Sequence, residues 1–355
     1  MKNKILILAM LGVFSANFIH SDEVEEVVVQ ASILNVTQDE IGDPLHILSG
    51  TDVSDLGTAS LGETLDSLLG VTTSDYGSAV GQPIIRGLSG SRVKILTNGL
   101  VNRDVAGIGA DHKNEVDLSD IQQIEVVRGP SSLLYANGAS GGIVNIVDNT
   151  IATSDIEKRL FKLGFETQSV NSGDGQSFSV ADNLGGLNLY FSYSDSSFGN
   201  YDIPSGAVLH EEEEHHDEDE DHGDDEHDEH DEDMGYLDNS DSAQEATRFG
   251  VSKVADWGYV GLAVSSSESV FGVPYHGESH EEHGDEEEGH DEHEGERIFS
   301  NTESDKVNVR GQVGKVDFFF QDSEYSHTEQ HAEEEHGDEH GDEDGDHDEH
   351  EGERI

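Results

Sequence analysis

The chain has no cysteine among its 355 residues. Neither a disulfide framework nor a thiolate metal site is available to it, so any bound metal must be held by imidazole and carboxylate. Basic residues are scarce: 18 Lys and Arg stand against 78 Asp and Glu, a formal charge of -60. That balance excludes nucleic acid as a partner, because phosphates would be repelled, and makes cations the natural partners. Beyond the first residues no stretch approaches the roughly 20 apolar residues of a membrane helix. If the mature chain sits in a membrane, it must do so with strands. No phosphate-binding loop, closed catalytic metal motif or nucleophile–base arrangement stands out, so no enzyme, no catalytic cofactor and no nucleotide energy source is expected.

What is present begins with Met1-Lys2-Asn3-Lys4 and the apolar run Ile5 to Val13. This charged-then-apolar layout predicts a secretory signal peptide over 1–21, with cleavage anywhere from 15 to 21. A short segment over 22–44 follows, then a glycine-punctuated mixed region over 45–150, then alternating patterns from 151 onward. In the last region Leu187, Leu189, Phe191 and Tyr193 alternate with Asn188, Tyr190, Ser192 and Ser194. A period of two puts apolar groups on one face of a strand. Strands are predicted near 160–168, 177–183, 187–195, 245–254, 257–266, 306–313 and 315–324, several ending in aromatics such as Tyr193, Trp257, Tyr259 and Tyr325. A soluble antiparallel sandwich and a membrane barrel alternate identically; connection lengths separate them. Short links at 183–186, 255–256 and 314 alternate with long ones near 196–244, 267–305 and from 326 onward. Successive antiparallel strands reverse direction, so the long links share one face, as the extracellular loops of outer-membrane barrels do.

Those long links, at about 205–240, 274–300 and 326–355, hold three acidic tracts. His210 to Asp233 has six His and 17 acidic residues, His276 to Glu296 five and 11, and His327 to Glu353 six and 14, none with Lys or Arg. Acid alone would read as a solvated chain. The histidines turn the reading toward metal, since imidazole is the commonest metal ligand and a flexible His/Asp/Glu string offers many labile sites. The candidate ligands are His210, His215, His216, His222, His227 and His230 in the first tract and His276, His280, His283, His290 and His293 in the second. The third adds His331, His336, His340, His347 and His350. Nitrogen at this density favours zinc, with nickel or copper next, over calcium or magnesium. No calcium-binding loop of EF-hand type is legible.

Between 45 and 150 lie compact motifs. Leu61 to Leu69 reads as an amphipathic helix stopped by Gly70. Ile84-Ile85-Arg86-Gly87 leads to Arg92-Val93-Lys94-Ile95-Leu96-Thr97-Asn98-Gly99, a strand and an Asn-Gly turn. Ile124-Glu125-Val126-Val127-Arg128-Gly129-Pro130 runs through Leu134-Tyr135 to Gly138-Ala139-Ser140-Gly141-Gly142-Ile143-Val144-Asn145-Ile146. In this order the motifs resemble the plug domain of TonB-dependent outer-membrane receptors, with Asn98 where Asp is commoner and Ala136-Asn137 in place of Gly-x. Glu25, Glu26, Val27, Val28 and Val29 look like the TonB box, an extended segment that adds a strand to the energising partner.

The resemblance implies an α+β plug domain followed by the first strands of a transmembrane antiparallel β-barrel in the outer membrane of a Gram-negative bacterium. Its partners would be the TonB energy-transducing complex, outer-membrane lipid and a divalent metal ion. Within the family, the histidine-rich loops and Gly109-Ala110-Asp111-His112 are similar to the zinc-importing receptors, which carry an Asp-His pair in a plug loop. Asp111 and His112 are therefore the expected plug ligands, and Gly272 to Gly277, with His276, resembles a loop opening of those receptors. The alternatives are a receptor for haem or a metal chelate, against which few loop aromatics argue, and a surface metal-binding protein that transports nothing. A plugged barrel of this family has 22 strands, needing about 220 strand residues, so the sequence is expected to be an N-terminal piece of a longer chain.

Histidine must be neutral to ligate, and acidic neighbours favour its protonated form. Zinc capture by an isolated His210–Asp233 peptide should therefore weaken below about pH 6.5. Equal binding at pH 5.5 and 7.5 in a calorimetric titration would contradict this.

Overall fold

The computed structural model describes residues 45–57, 60–77, 79–204, 207, 235–274 and 298–331. The predicted signal peptide and TonB box, and the three tracts apart from their flanks, lie outside the described residues. Two bodies result, a small mixed plug and a curved antiparallel wall against it.

The plug runs β1 (Leu45–Ser49), α1 (Gly50–Leu56), α2 (Leu61–Asp66), β2 (Val71–Asp75), β3 (Gly81–Ile85), β4 (Val93–Thr97), β5 (Leu100–Val101), β6 (Gln123–Arg128) and β7 (Gly142–Val147). Its sheet has the order β1-β6-β7-β4-β5, with β4 and β7 parallel and the other pairs antiparallel. β2 and β3 form a separate hairpin. β6 and β7 are buried at every position, with Ile124, Val126, Ile143 and Val144 at the centre and the buried Asn145 amide donating to Glu125 at 2.9 Å. The predicted turn is present: Asn98 and Gly99 both take positive φ, 51° and 83°. The predicted helix is shorter than expected. It begins where the Ser60 hydroxyl accepts from the Glu63 N–H, and it ends at Asp66, with Leu69 exposed and Gly70 at φ 78°. α1 was not predicted; a reciprocal cap between Ser49 and Asp52 starts it and left-handed Gly57 ends it.

The wall holds β8 (Leu160–Gln168), β9 (Gly173–Leu184), β10 (Leu187–Phe198), the short pair β11 (Tyr201–Asp202) and β12 (Tyr236–Leu237), then β13 (Ser242–Ala255), β14 (Gly258–Gly272), β15 (Ile298–Val313) and β16 (Val316–His331). Its seven long strands pair in the order β16-β15-β14-β13-β10-β9-β8, each antiparallel to its neighbour. All seven predicted strands are found, and β13 to β16 extend further toward the tracts than their hydrophobic alternation does. There polar residues such as Ser267, Glu268, Asn301, Thr302, Glu303 and Asp305 fall on both faces, with few apolar residues between them to mark a period. Trp257 sits in the tight turn after β13, not within a strand. The chain enters and leaves the tracts at Phe198/Ser242, Gly272/Ile298 and His331, all at one end of the sheet.

Burial in the wall is inverted relative to a soluble sandwich. Ser179, Ser192, Ser252, Ser269, Ser300 and Ser304 are buried against the plug, whereas Phe161, Phe249, Leu262, Val264, Val307 and Phe320 are exposed on the outer face. A sheet that hides hydroxyls and presents valine and phenylalanine suits lipid outside and a polar interior. Among the described residues no helix is long and apolar enough to cross a membrane.

Most of the polar contacts that fasten the plug to the wall come from an extended strap, residues 111–120. The Lys113 ammonium donates to Gln244 Oε1 at 2.6 Å, and the Ser267 and Ser269 hydroxyls donate to Glu115 at 3.3 and 3.2 Å. Buried Arg248 lies 3.0 Å from Asp117 and 3.8 Å from Asp148. The Tyr190 hydroxyl and the Lys162 ammonium donate to Asp120 at 2.7 and 2.9 Å. Burial alone would raise the Asp120 carboxyl, but these bonds and one from Ser179 outweigh it and hold the group below its ordinary value. At Gly250 the wall also lets the plug's exit segment through, for a Cβ there would meet the Thr150 carbonyl oxygen at 1.7 Å.

Arg248→Met leaves Asp117 and Asp148 buried without their cation, a loss of about 3–5 kcal/mol. The urea midpoint for plug release, followed by protease sensitivity of the 104–120 loop, should fall markedly. An unchanged midpoint would show that Arg248 does not anchor the plug.

Candidate metal site

One side chain gathers three carbonyls of the loop from Asn102 to Ile121. Gln82 Nε2 shares its two N–H groups among the carbonyls of Ala106, Gly109 and His112, at 2.8, 2.7 and 2.7 Å. Gly109 is required beside them, since a Cβ there would meet Asp111 Oδ1 at 2.3 Å and His112 Nδ1 at 3.0 Å. The loop thus turns Asp111 and His112 toward the wall. Asp111 Oδ1 lies 2.8 Å from His112 Nδ1, which orients the ring and leaves Nε2 facing outward from the plug.

Facing it on the wall are two residues of β16. His327 and Glu329 are two apart, so both point to the plug side. His327 Nδ1 lies 3.0 Å from the buried Thr302 hydroxyl of β15, so its Nε2 is also free to turn inward. Glu329 Oε1 stands 3.2 Å from His112 Nε2 and 3.4 Å from His327 Nε2. One ligand atom from each of the three residues falls within 4.8 Å of the others. Donors bound to zinc at about 2.0–2.2 Å in a tetrahedron stand roughly 3.3 Å apart, so two of the three separations need almost no adjustment. The imidazole side chains are 15% and 11% exposed and Glu329 is 50% exposed, so the group is open on its carboxylate side. Behind His327 the ring of Phe271, buried with Ala79 and Val80, gives the site an apolar floor.

The sequence singled out Asp111 and His112, and the structure brings His112 to the wall. It gives Asp111 a different part from the one expected: its carboxylate grips the far nitrogen of His112 instead of joining the cluster of three. His327 and Glu329 were missed as ligands. They open the third tract, where the surrounding acid and histidine hid a two-residue spacing continuous with β16. His331 is the last residue of that strand, opposite Ile298, and not part of a loop. The remaining tract histidines, His210 to His230, His276 to His293 and His336 to His350, lie outside the described residues.

Residues 37–143 match the TonB-dependent receptor plug domain, and plug and wall together have the fold of outer-membrane transporters of known structure. Among curated proteins, the vitamin B12 transporter BtuB of Vibrio vulnificus (strain CMCP6) is 25% identical over 162 residues, covering 44% of this chain and 26% of that transporter. Among solved structures, the FrpB iron transporter from Neisseria meningitidis superposes with a TM-score of 0.57 at 11% identity over 81% of this chain and 41% of its own. The copper transporter OprC does so with 0.54 at 15% over 81% and 37%. These likenesses establish the fold, and the chain spans well under half of each.

A carboxylate that grips the non-ligating nitrogen of a metal-binding histidine fixes its tautomer, and its loss usually costs about 10–100-fold in affinity. Asp111→Asn should weaken the tightest phase of zinc binding within that range in a calorimetric titration, and Thr302→Val should act in the same direction. No change in Asp111→Asn would remove the orienting role.

Proposed function

We propose that the protein is a TonB-dependent importer of a divalent transition metal, with zinc the first candidate and nickel or copper next. The observation that carries this reading is the approach of His112 on the plug to His327 and Glu329 on the wall. Two imidazoles and one carboxylate form a donor set suited to zinc, and a fourth position remains for water or a ligand handed in from outside. The chain leads into that site from the end of the sheet that bears the tracts. Their histidines and carboxylates would raise the local cation concentration and exchange ions rapidly, since steering by such a field speeds association roughly 10- to 1000-fold at low salt. Glu25 to Val29 would then engage the TonB complex, whose pull displaces the plug. Zinc in this scheme is cargo and not a catalytic cofactor.

Radioactive zinc uptake by cells tests each part. His112→Ala with His327→Ala should lower energised uptake at least tenfold while most surface zinc binding, held by the tracts, remains. Deletion of 25–29 should abolish uptake and leave binding intact. Full uptake by the double variant would overturn the assigned site. Nickel or copper uptake in place of zinc would reassign the cargo, and loss of surface binding on deleting 25–29 would refute the division between capture and transport.

A further inference from the structure

Below the three-residue site the plug contains a second polar chamber. The inward-facing residues of β16 serve as a ruler: Tyr325 is two residues nearer the short-turn end than His327, about 7 Å along the strand. The Tyr325 side chain reaches the backbone at Val105 and faces Asp104 and Glu115. Lys306, on the neighbouring strand, faces the same two carboxylates. Asp104 therefore lies one to two rows further from the tracts than His112. It also lines a cavity of about 190 Å³ that extends past Asn102, Ala106 and Asn114 to the β4 edge of the plug sheet. Gln82 lines this cavity too, and its amide is the group that holds the His112 carbonyl, so the chamber and the metal site share a wall.

The chamber's lining is not satisfied by the protein. Asn114 is 9% exposed, and its Oδ1 has no partner among the described residues; Asn102 Nδ2 has none either. Asp104 accepts N–H bonds from Ala106 and Glu115, at 3.3 and 3.1 Å. A carboxylate accepts about four such bonds, so Asp104 keeps lone pairs for another partner. Burial pushes its carboxyl up from the ordinary value against the pull of those two N–H groups and of Lys306. An acceptor amide, a donor amide and a carboxylate with lone pairs to spare around one cavity, whose lining also includes Lys94, suit a weakly held, partly hydrated cation: the oxygens ligate and Asn102 donates to a bound water.

We propose that Asp104 and Asn114 form a second, oxygen-donor cation station, to which an ion leaving His112, His327 and Glu329 passes on its way through the plug. The inference rests on the reading of the protein as a cation importer. Lys306 faces Asp104 and keeps the station weak, as transit requires: an ion must enter readily and also leave.

Terbium(III), an oxygen-seeking ion whose emission is excited through a nearby tyrosine, probes the station. It is titrated into the complete receptor carrying His112→Ala and His327→Ala, with and without Tyr325→Phe; the difference isolates ions near Asp104 from those on the tracts. Asp104→Asn should lower that difference signal at least fivefold. In receptors that keep both histidines, Asp104→Asn and Asn114→Leu, the latter filling the cavity, should change tight zinc binding less than twofold. Both should cut energised zinc uptake about tenfold. An undiminished terbium difference signal in Asp104→Asn, or full uptake by Asn114→Leu, overturns the station. Should the unaltered receptor import no zinc, the importer reading fails while the terbium measurement still judges the station.

Discussion

Several polar groups on the inner face of the wall are hidden from water with partners that the plug brings them. Ser267 and Ser269 find Glu115, Tyr190 finds Asp120, and Arg248 finds Asp117. Buried polar groups without partners are costly, so this seam decides how the two bodies sit. Most of the seam's polar contacts come from one run of plug residues, 111–120, which begins with Asp111 and His112, and Asp104 and Asp148 add to it. His112 is therefore placed by the same docking that satisfies the wall, and its distance to Glu329 follows from five or six polar contacts further along the strap. Position in the site is inherited from the seam.

How much of this was legible in the sequence depended on whether a pattern is local. The lower halves of the wall strands carry strict alternation and were read correctly; their upper halves, polar on both faces, carry no period and were read as loop. Asn98-Gly99 declared its turn through backbone chemistry alone. α1 escaped because seven residues with a β-branched pair give no helical period, and its evidence is a cap between Ser49 and Asp52. Asp111 and His112 were found because they are adjacent. Adjacency, though, cannot say which of two neighbours meets a metal and which meets the other's ring. His327 and Glu329 lay in plain view but were absorbed into a tract of the same composition. Only the register of β16 against β15, which sets His327 opposite Thr302, separates them from it.

The contrast between tract and site is also thermodynamic. A site loses least conformational freedom on binding when its ligands are held beforehand, as Gln82, Gly109, Asp111 and Thr302 hold His112 and His327. Preorganisation of this kind converts donor groups of ordinary strength into a tighter site. On the proposed reading, an ion moves from many weak sites to one stronger site without any energy input, and input is needed only afterwards.

That later step follows from the ownership of the ligands. His112 belongs to the plug, and His327 and Glu329 belong to the wall, so the site exists only while the two are docked. Any displacement of the plug that breaks Asp117 from Arg248 also withdraws His112 and reduces three protein ligands to two. Loss of a nitrogen donor weakens a site of this kind far more than a change of shape within one body would. On the proposed reading, undocking and ion release become a single event. The ion need not be prised from its site by a separate device, because the seam that assembles the site is the seam that must open.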